Sequence, residues 1–210
     1  MESVAGTIRA RVGKARAGTF FRVSDFDGPR RAVESAFSRL ADEDPSLRHV
    51  RRGLYWKGVS SKFGPGSPRT EDVVCEVAEG RGVGPTGWSA SHALGLSTQV
   101  PARSEFAVVG APPTGIPGAR FRSRSNFARI GLGYHEIALL EVLRDWPEHV
   151  EADWPDLERA VLRLREDGHI RPARVLKAAT EERAPALRDR MAELVSDLSS
   201  RAPASTTFLR

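Results

Sequence analysis

A chain of 210 residues with 40% hydrophobic and 28% charged content has room for one large domain or two small ones, and is too apolar for a disordered chain. No apolar run approaches the roughly 18 residues that span a bilayer. Arg9, Arg11, Lys14 and Arg16 break every candidate signal core, and the single Cys75 excludes an internal disulfide and a multi-thiolate metal site, so a cytoplasmic protein is expected.

Charge is unevenly spread. Residues 1–60 hold 12 Lys+Arg against 7 Asp+Glu, the whole of the net +5, while the rest balances at 20 and 20. Charge gathered on one segment attracts phosphate backbones more than a high overall pI does. The cations are mostly arginine, which suits bidentate phosphate and guanine contacts but is equally what a GC-rich genome produces.

Val4, Ile8 and Val12 recur at helical spacing after Ser3, a candidate N-cap, and predict a helix over 4–15. Gly18 ends it, Thr19–Val23 reads as extended, and Ser24 is expected to cap a brief turn through Phe26. After Gly28-Pro29 a second helix starts near Arg30, with Val33, Ala36, Phe37 and Leu40 on one face. At 100° per residue Arg31, Ser35, Ser38 and Asp42 fall opposite, flanked by Glu34 and Arg39. Leu47–Val50 and Leu54–Trp56 read as a hairpin around a three-residue Arg51-Arg52-Gly53 turn. Helix, short helix, reading helix and basic hairpin make a winged helix-turn-helix. The bland alternative is a small α+β domain with solvated arginines.

Phe63–Arg69, rich in Gly and Pro, reads as a linker, which places domains at 1–60 and 70–200. Helices are expected over 71–79 and Trp88–Leu94, the latter stopped by Gly95, and strands over Glu105–Val109 and Ala119–Arg124. From about 133 the pattern is helical. One helix from Tyr134 is apolar on most sides, a second is opened by Asp153 and Pro155 and closed by Gly168, and a third runs from Pro172 through Thr180. A fourth starts at Pro185 with Leu187, Met191, Leu194 and Leu198 on one stripe, and 203–210 read as a loose tail. The fold expected is α+β: the winged helix-turn-helix followed by a mixed α/β domain ending in a helical bundle.

Catalytic constellations are absent from the sequence. Gly82-Val-Gly84-Pro-Thr-Gly87 matches the dinucleotide fingerprint, but a helix and not a strand precedes it, so loop glycines explain it better. The five histidines include no pair at metal-ligand spacing on one helix. Ser89 and Ser91 lack the second glycine of a nucleophile elbow, and Cys75 reads as a small core hydrophobe. None of the four lysines follows a carboxylate by two residues, as restriction-type nucleases require, and the carboxylates of the C-terminal half are expected on exposed helix faces. No enzyme activity and no cofactor or metal is expected.

Val23–Phe26, Arg30–Leu40, Val50–Tyr55 and above all His92-Ala-Leu-Gly-Leu-Ser-Thr-Gln-Val-Pro-Ala102 resemble AbiEi-type antitoxins of type IV toxin–antitoxin and abortive-infection systems. The resemblance covers about residues 5–125. It implies a bipartite protein whose winged helix represses its own operon at inverted repeats in promoter DNA. Its C-terminal domain would counteract a nucleotidyltransferase-class toxin, directly or functionally. DNA contact then falls to Arg31, Ser35, Ser38 and Arg39 of the helix and to Arg48, Arg51 and Arg52 of the wing, with Arg30 on a phosphate. Pairing of two copies would occur on the DNA. The alternatives are an orphan transcriptional regulator without a toxin, or a protein-interaction module presenting Trp88, Trp146 and Trp154 at its surface.

Overall fold

In a computed structural model the protein is of mixed α+β type with small sheets, and residues 3–61 and 64–201 are described. The expected tail at 203–210 lies outside them, as does Phe63 at the start of the expected linker. The chain divides into two compact units, residues 1–76 and 77–210.

The first unit opens with α1 (Val4–Lys14), whose N-cap Ser3 accepts from the Gly6 N–H at 3.1 Å. Strand β1 (Phe20–Arg22) leads into a 3-10 turn at Val23–Asp25. That turn begins one step before the expected cap at Ser24. Arg22 is its N-cap, and the Asp25 carboxylate accepts from the Arg22 N–H at 3.4 Å. Helix α2 (Arg30–Glu43) starts after Pro29 and buries Val33, Ala36, Phe37 and Leu40. The strands β2 (Leu47–Arg51) and β3 (Leu54–Lys57) form an antiparallel hairpin, and β3 also pairs with β1, giving the order β1-β3-β2. Ile8 and Val12 of α1, the α2 face, Phe21, Val23, Leu47 and Tyr55 form one core. At its centre the Phe37 ring stacks on Tyr55 at 4.7 Å and meets the edge of Phe26 at 5.0 Å. Lys57 ties the hairpin to α1, donating to the Val12 and Gly13 carbonyls at 2.7 and 3.2 Å. A two-residue pair follows, β4 (Ser60–Ser61) with β5 (Gly64–Pro65), and then α3 (Thr70–Val77). On α3, burial and then Asp72 and Glu71 push the half-buried Cys75 thiol up to about 11, where little thiolate forms near neutral pH.

The second unit holds a three-stranded sheet in the order β6-β7-β8, from β6 (Gly84–Pro85), β7 (Ser104–Val109) and β8 (Ala119–Arg124). β7 pairs antiparallel with β6 and parallel with β8. Helix α4 (Trp88–Leu94) lies between β6 and β7 in sequence. Helices α5 (Tyr134–Asp145), α6 (Trp154–Glu166), α7 (Pro172–Thr180) and α8 (Pro185–Arg201) complete the unit, and their apolar faces form one large core with α4. The fingerprint-like glycines serve packing: a Cβ on Gly84 would stand 2.5 Å from Ile137 Cβ, so β6 can lie on α5 only without a side chain there.

Two expectations for this unit are qualified by the structure. Trp146 and Trp154 are partly buried, packing edge to face at 5.2 Å against the core, and the Trp154 ring N–H donates to Asp197 at 3.0 Å, while Trp88, also partly buried, meets His149 edge to face at 5.4 Å. Most carboxylates of the unit are exposed or half-buried, as expected, but Glu136, Glu141, Glu158 and Glu182 are buried. Arg129, fully buried, donates to Glu141 and to Glu182 at 2.5 Å each. Arg124 of β8 also pairs with Glu141, and Arg144 with Glu182. Burial opposes ionisation of Glu141, yet hydrogen bonds and charge from Arg124 and Arg129 outweigh it and hold the carboxyl at about 2.

The Leu94–Ala102 stretch wraps a carboxylate. Glu151 accepts from the Thr98 N–H at 2.7 Å, the Ser97 hydroxyl at 2.8 Å and the Gln99 amide at 2.9 Å. The Thr98 N–H first, then Gln99 and Ser97, hold it at about 2. Replacing Glu151→Ala is expected to speed hydrogen exchange at the Thr98 amide while α5 and α6 stay protected; unchanged exchange there would show that the loop holds itself.

Candidate nucleic-acid interface

The polar face of α2 and the tip of the β2–β3 hairpin border one open cleft of about 390 Å3, lined by Glu34, Ser35, Ser38, His49, Arg52 and Tyr55. The α2 face arises because its apolar residues, at helical spacing, are drawn into the core. Arg31, Ser35, Ser38 and Arg39 are left exposed on the outside. The hairpin is held against the 3-10 turn by the Val23 N–H, which donates to the Gly53 carbonyl at 2.9 Å.

The tip differs from the three-residue turn expected. Pairing shifts between His49↔Tyr55 and Arg51↔Leu54, so Val50 is the extra residue of a bulge and Arg51 is carried into the ladder. The loop shrinks to Arg52-Gly53, and Gly53 takes a φ of +74°, open to glycine at little cost. Arg52 is exposed at this loop. Arg51 is half-buried, and its Nη1 has no hydrogen-bond partner among the described residues.

The eight residues expected to touch DNA therefore fall into groups. Ser35, Ser38 and Arg52 line the cleft itself, and Arg31, Arg39 and Arg51 lie on the helix and hairpin that form it. Arg39 bonds only back to the Ser35 carbonyl at 3.2 Å, and Arg31 has no carboxylate partner among the described residues. Arg30, at the first turn of α2, is paired with Glu34 at 2.9 Å but remains 68% exposed. Arg48 is different. Its Nη1 donates to the Gly66 carbonyl and the Ser67 hydroxyl at 2.9 Å each, so it braces the segment after the hairpin. Alternation along β2 puts Arg48 and His49 on opposite faces, a signal present in the sequence.

The remaining cations of this unit are largely occupied. Arg9 pairs with Glu43 at 2.6 Å, and Arg11 donates to the Asp25 carbonyl while lying 4.6 Å over the Phe26 ring. Arg22 pairs with Glu76 at 2.7 Å. Lys14 and Arg16, near the end of α1, are exposed. The cleft is amphoteric, because Glu34, expected beside the arginine-bearing face, lines it; His49, which the sequence did not single out, lines it too. Burial, followed by Glu34 and Asp42, raises the Tyr55 hydroxyl above its ordinary value.

A family model described as a family of unknown function, DUF6088, matches residues 7–120. Among solved structures, the Rv2827c protein from Mycobacterium tuberculosis is similar at 14% identity and a TM-score of 0.43, over 95% of this chain and 82% of that one. No curated protein matches the chain.

Proposed function

Because the chain belongs to DUF6088, a family of unknown function, its role must be argued from its own surface, and we propose that it is a double-stranded-DNA-binding regulator. The carrying observation is that Arg31, Arg39, Arg51 and Arg52, none with a carboxylate partner among the described residues, sit together on one helix face and one hairpin tip. In this reading residues 3–57 are a winged helix-turn-helix. Helix α2 enters the major groove, where Arg31 and Arg39 meet guanine edges and Ser35 and Ser38 either base edges or phosphate. Glu34 repels phosphate but accepts well from the amino group of cytosine, which favours sequence reading over simple charge attraction. Arg51 and Arg52 take phosphates from the hairpin, and Arg30 takes one at the start of α2. Arg48 is left out of the contact, since it serves the fold.

The resemblance to AbiEi-type antitoxins supports a narrower form of the proposal. There the protein represses its own operon at inverted repeats, pairing on the DNA, and the second unit counteracts a nucleotidyltransferase-class toxin. The rival reading, an interaction module built on exposed tryptophans, has less support, since Trp146 and Trp154 pack against the core of the second unit.

The test is binding of the full chain to duplex DNA from upstream of its own reading frame, followed by fluorescence anisotropy over a series of salt concentrations. Arg31→Ala or Arg39→Ala should each cost about 1–3 kcal/mol of discrimination against scrambled duplex. Arg51→Ala with Arg52→Ala should weaken all duplexes alike and reduce the log–log salt slope by about 1.8. A quadruple variant with unchanged affinity ends the proposal.

A further inference from the structure

The second unit carries a separate polar cleft of about 430 Å3, where β8 runs into the 3-10 turn at Phe127–Arg129 and the α7–α8 connection passes over it. That volume falls within the roughly 300–1,000 Å3 of small-molecule sites. Two kinds of group meet in it. Arg124 and Arg144 form part of its wall, Arg183 stands exposed at its rim with no carboxylate partner among the described residues, and Ser123 and Ser125 offer hydroxyls that are not hydrogen-bonded there. Beside them the Phe127 ring is 71% exposed, outside the unit's core.

Cation excess distinguishes this cleft from a plain ion-pair network. Among the residues that line it, Arg124, Arg144 and Arg183 stand against Glu181 and Glu182, one guanidinium more than carboxylates. Asp145, near Arg124 and Arg144, is not among the lining residues. Buried Arg129 keeps one nitrogen, Nη2, without a hydrogen-bond partner among the described residues. An exposed guanidinium without a carboxylate partner, in a concave, hydroxyl-lined site with one cation in excess, is suited to a phosphate, which accepts from several donors at once. An exposed aromatic ring at the mouth suits the flat face of a base. Glu181 on the rim can accept from a base amino group.

We infer that this cleft binds a mononucleotide, its phosphate held by Arg183, Arg124 and the serine hydroxyls and its base stacked on Phe127. Every residue involved lies in the second unit, so the inference stands apart from DNA binding by the first.

Calorimetric titration of the full chain with adenosine monophosphate, guanosine monophosphate and inorganic phosphate tests it. At least one mononucleotide should bind more tightly than inorganic phosphate. Phe127→Ala should weaken the mononucleotide by about tenfold and leave phosphate unchanged, whereas Arg183→Ala should weaken both. Phe127 and Arg183 are exposed, so thermal melts of both variants should match the parent. No binding of either mononucleotide, equal affinity for mononucleotide and inorganic phosphate, or mononucleotide affinity indifferent to Phe127→Ala or to Arg183→Ala would each overturn the assignment.

Discussion

Replacing Glu141→Ala is expected to destabilise the second unit by about 3–5 kcal/mol, measured by denaturant unfolding. Glu141 is the joint acceptor for Arg124 and Arg129, and also accepts from the Thr86 hydroxyl at 2.7 Å. Removing it leaves the fully buried Arg129 with Glu182 as its one counter-charge among the described residues. Transfer of an under-compensated guanidinium from water is what makes the loss large; the ion pairs need not themselves be strongly stabilising. Glu141→Gln keeps an acceptor and the side-chain shape, and should lose less. If Glu141→Ala unfolds at the parent's denaturant midpoint, the network is not a stability determinant.

The same residue sets an acid limit. Its folded value of about 2 lies below the ordinary 4.5, so the folded state binds protons less readily than the unfolded chain. Its contribution is fully present above the unfolded value and is lost as pH falls through it toward the folded value. Glu136 and Glu182 shift in the same direction, with burial opposing and arginine partners prevailing. Melting temperature should therefore fall between about pH 5 and about pH 2, and less steeply in Glu141→Ala.

The second large effect is expected from Phe37→Ala, which should cost the first unit about 3–5 kcal/mol. Phe37 is fully buried and touches Phe21, Phe26 and Tyr55, rings contributed by β1, the residue that ends the 3-10 turn and β3. Losing it removes the packing that seats α2 against the hairpin. DNA affinity should then fall together with stability, and far-ultraviolet circular dichroism should show the loss of folded first unit. In Arg31→Ala, by contrast, affinity should fall with the melting curve unchanged. A Phe37→Ala chain that keeps both stability and binding would show that α2 is seated by something other than this cluster.

The positions of α1, α2, α7 and α8 were legible in the chain because what starts, stops and orients them is local. Ser3 caps α1, Pro172 and Pro185 open α7 and α8, and Val33, Phe37 and Leu40 repeat at the period of the helix they bury. The α2 half of the candidate site came with them, since a face opposite a buried stripe must be solvent-facing. The hairpin half was only partly legible. Its two strands follow from composition, but the bulge at Val50 depends on cross-strand pairing, and that pairing carries Arg51 into the ladder.

Where partners are far apart in sequence, no local pattern announces them. Arg129 and Glu182 are 53 positions apart, and each alone reads as an ordinary surface charge. Their burial depends on α5, α7 and α8 closing over the same space, which makes pairing the cheapest way to keep both ions there. Gly84–Pro85 is too short to read as a strand and becomes one only through β7 and the close approach of Ile137. Order along the chain thus follows from nearest-neighbour chemistry. Which charges are sheltered, and which remain available to a ligand, follows from how distant segments share a limited volume.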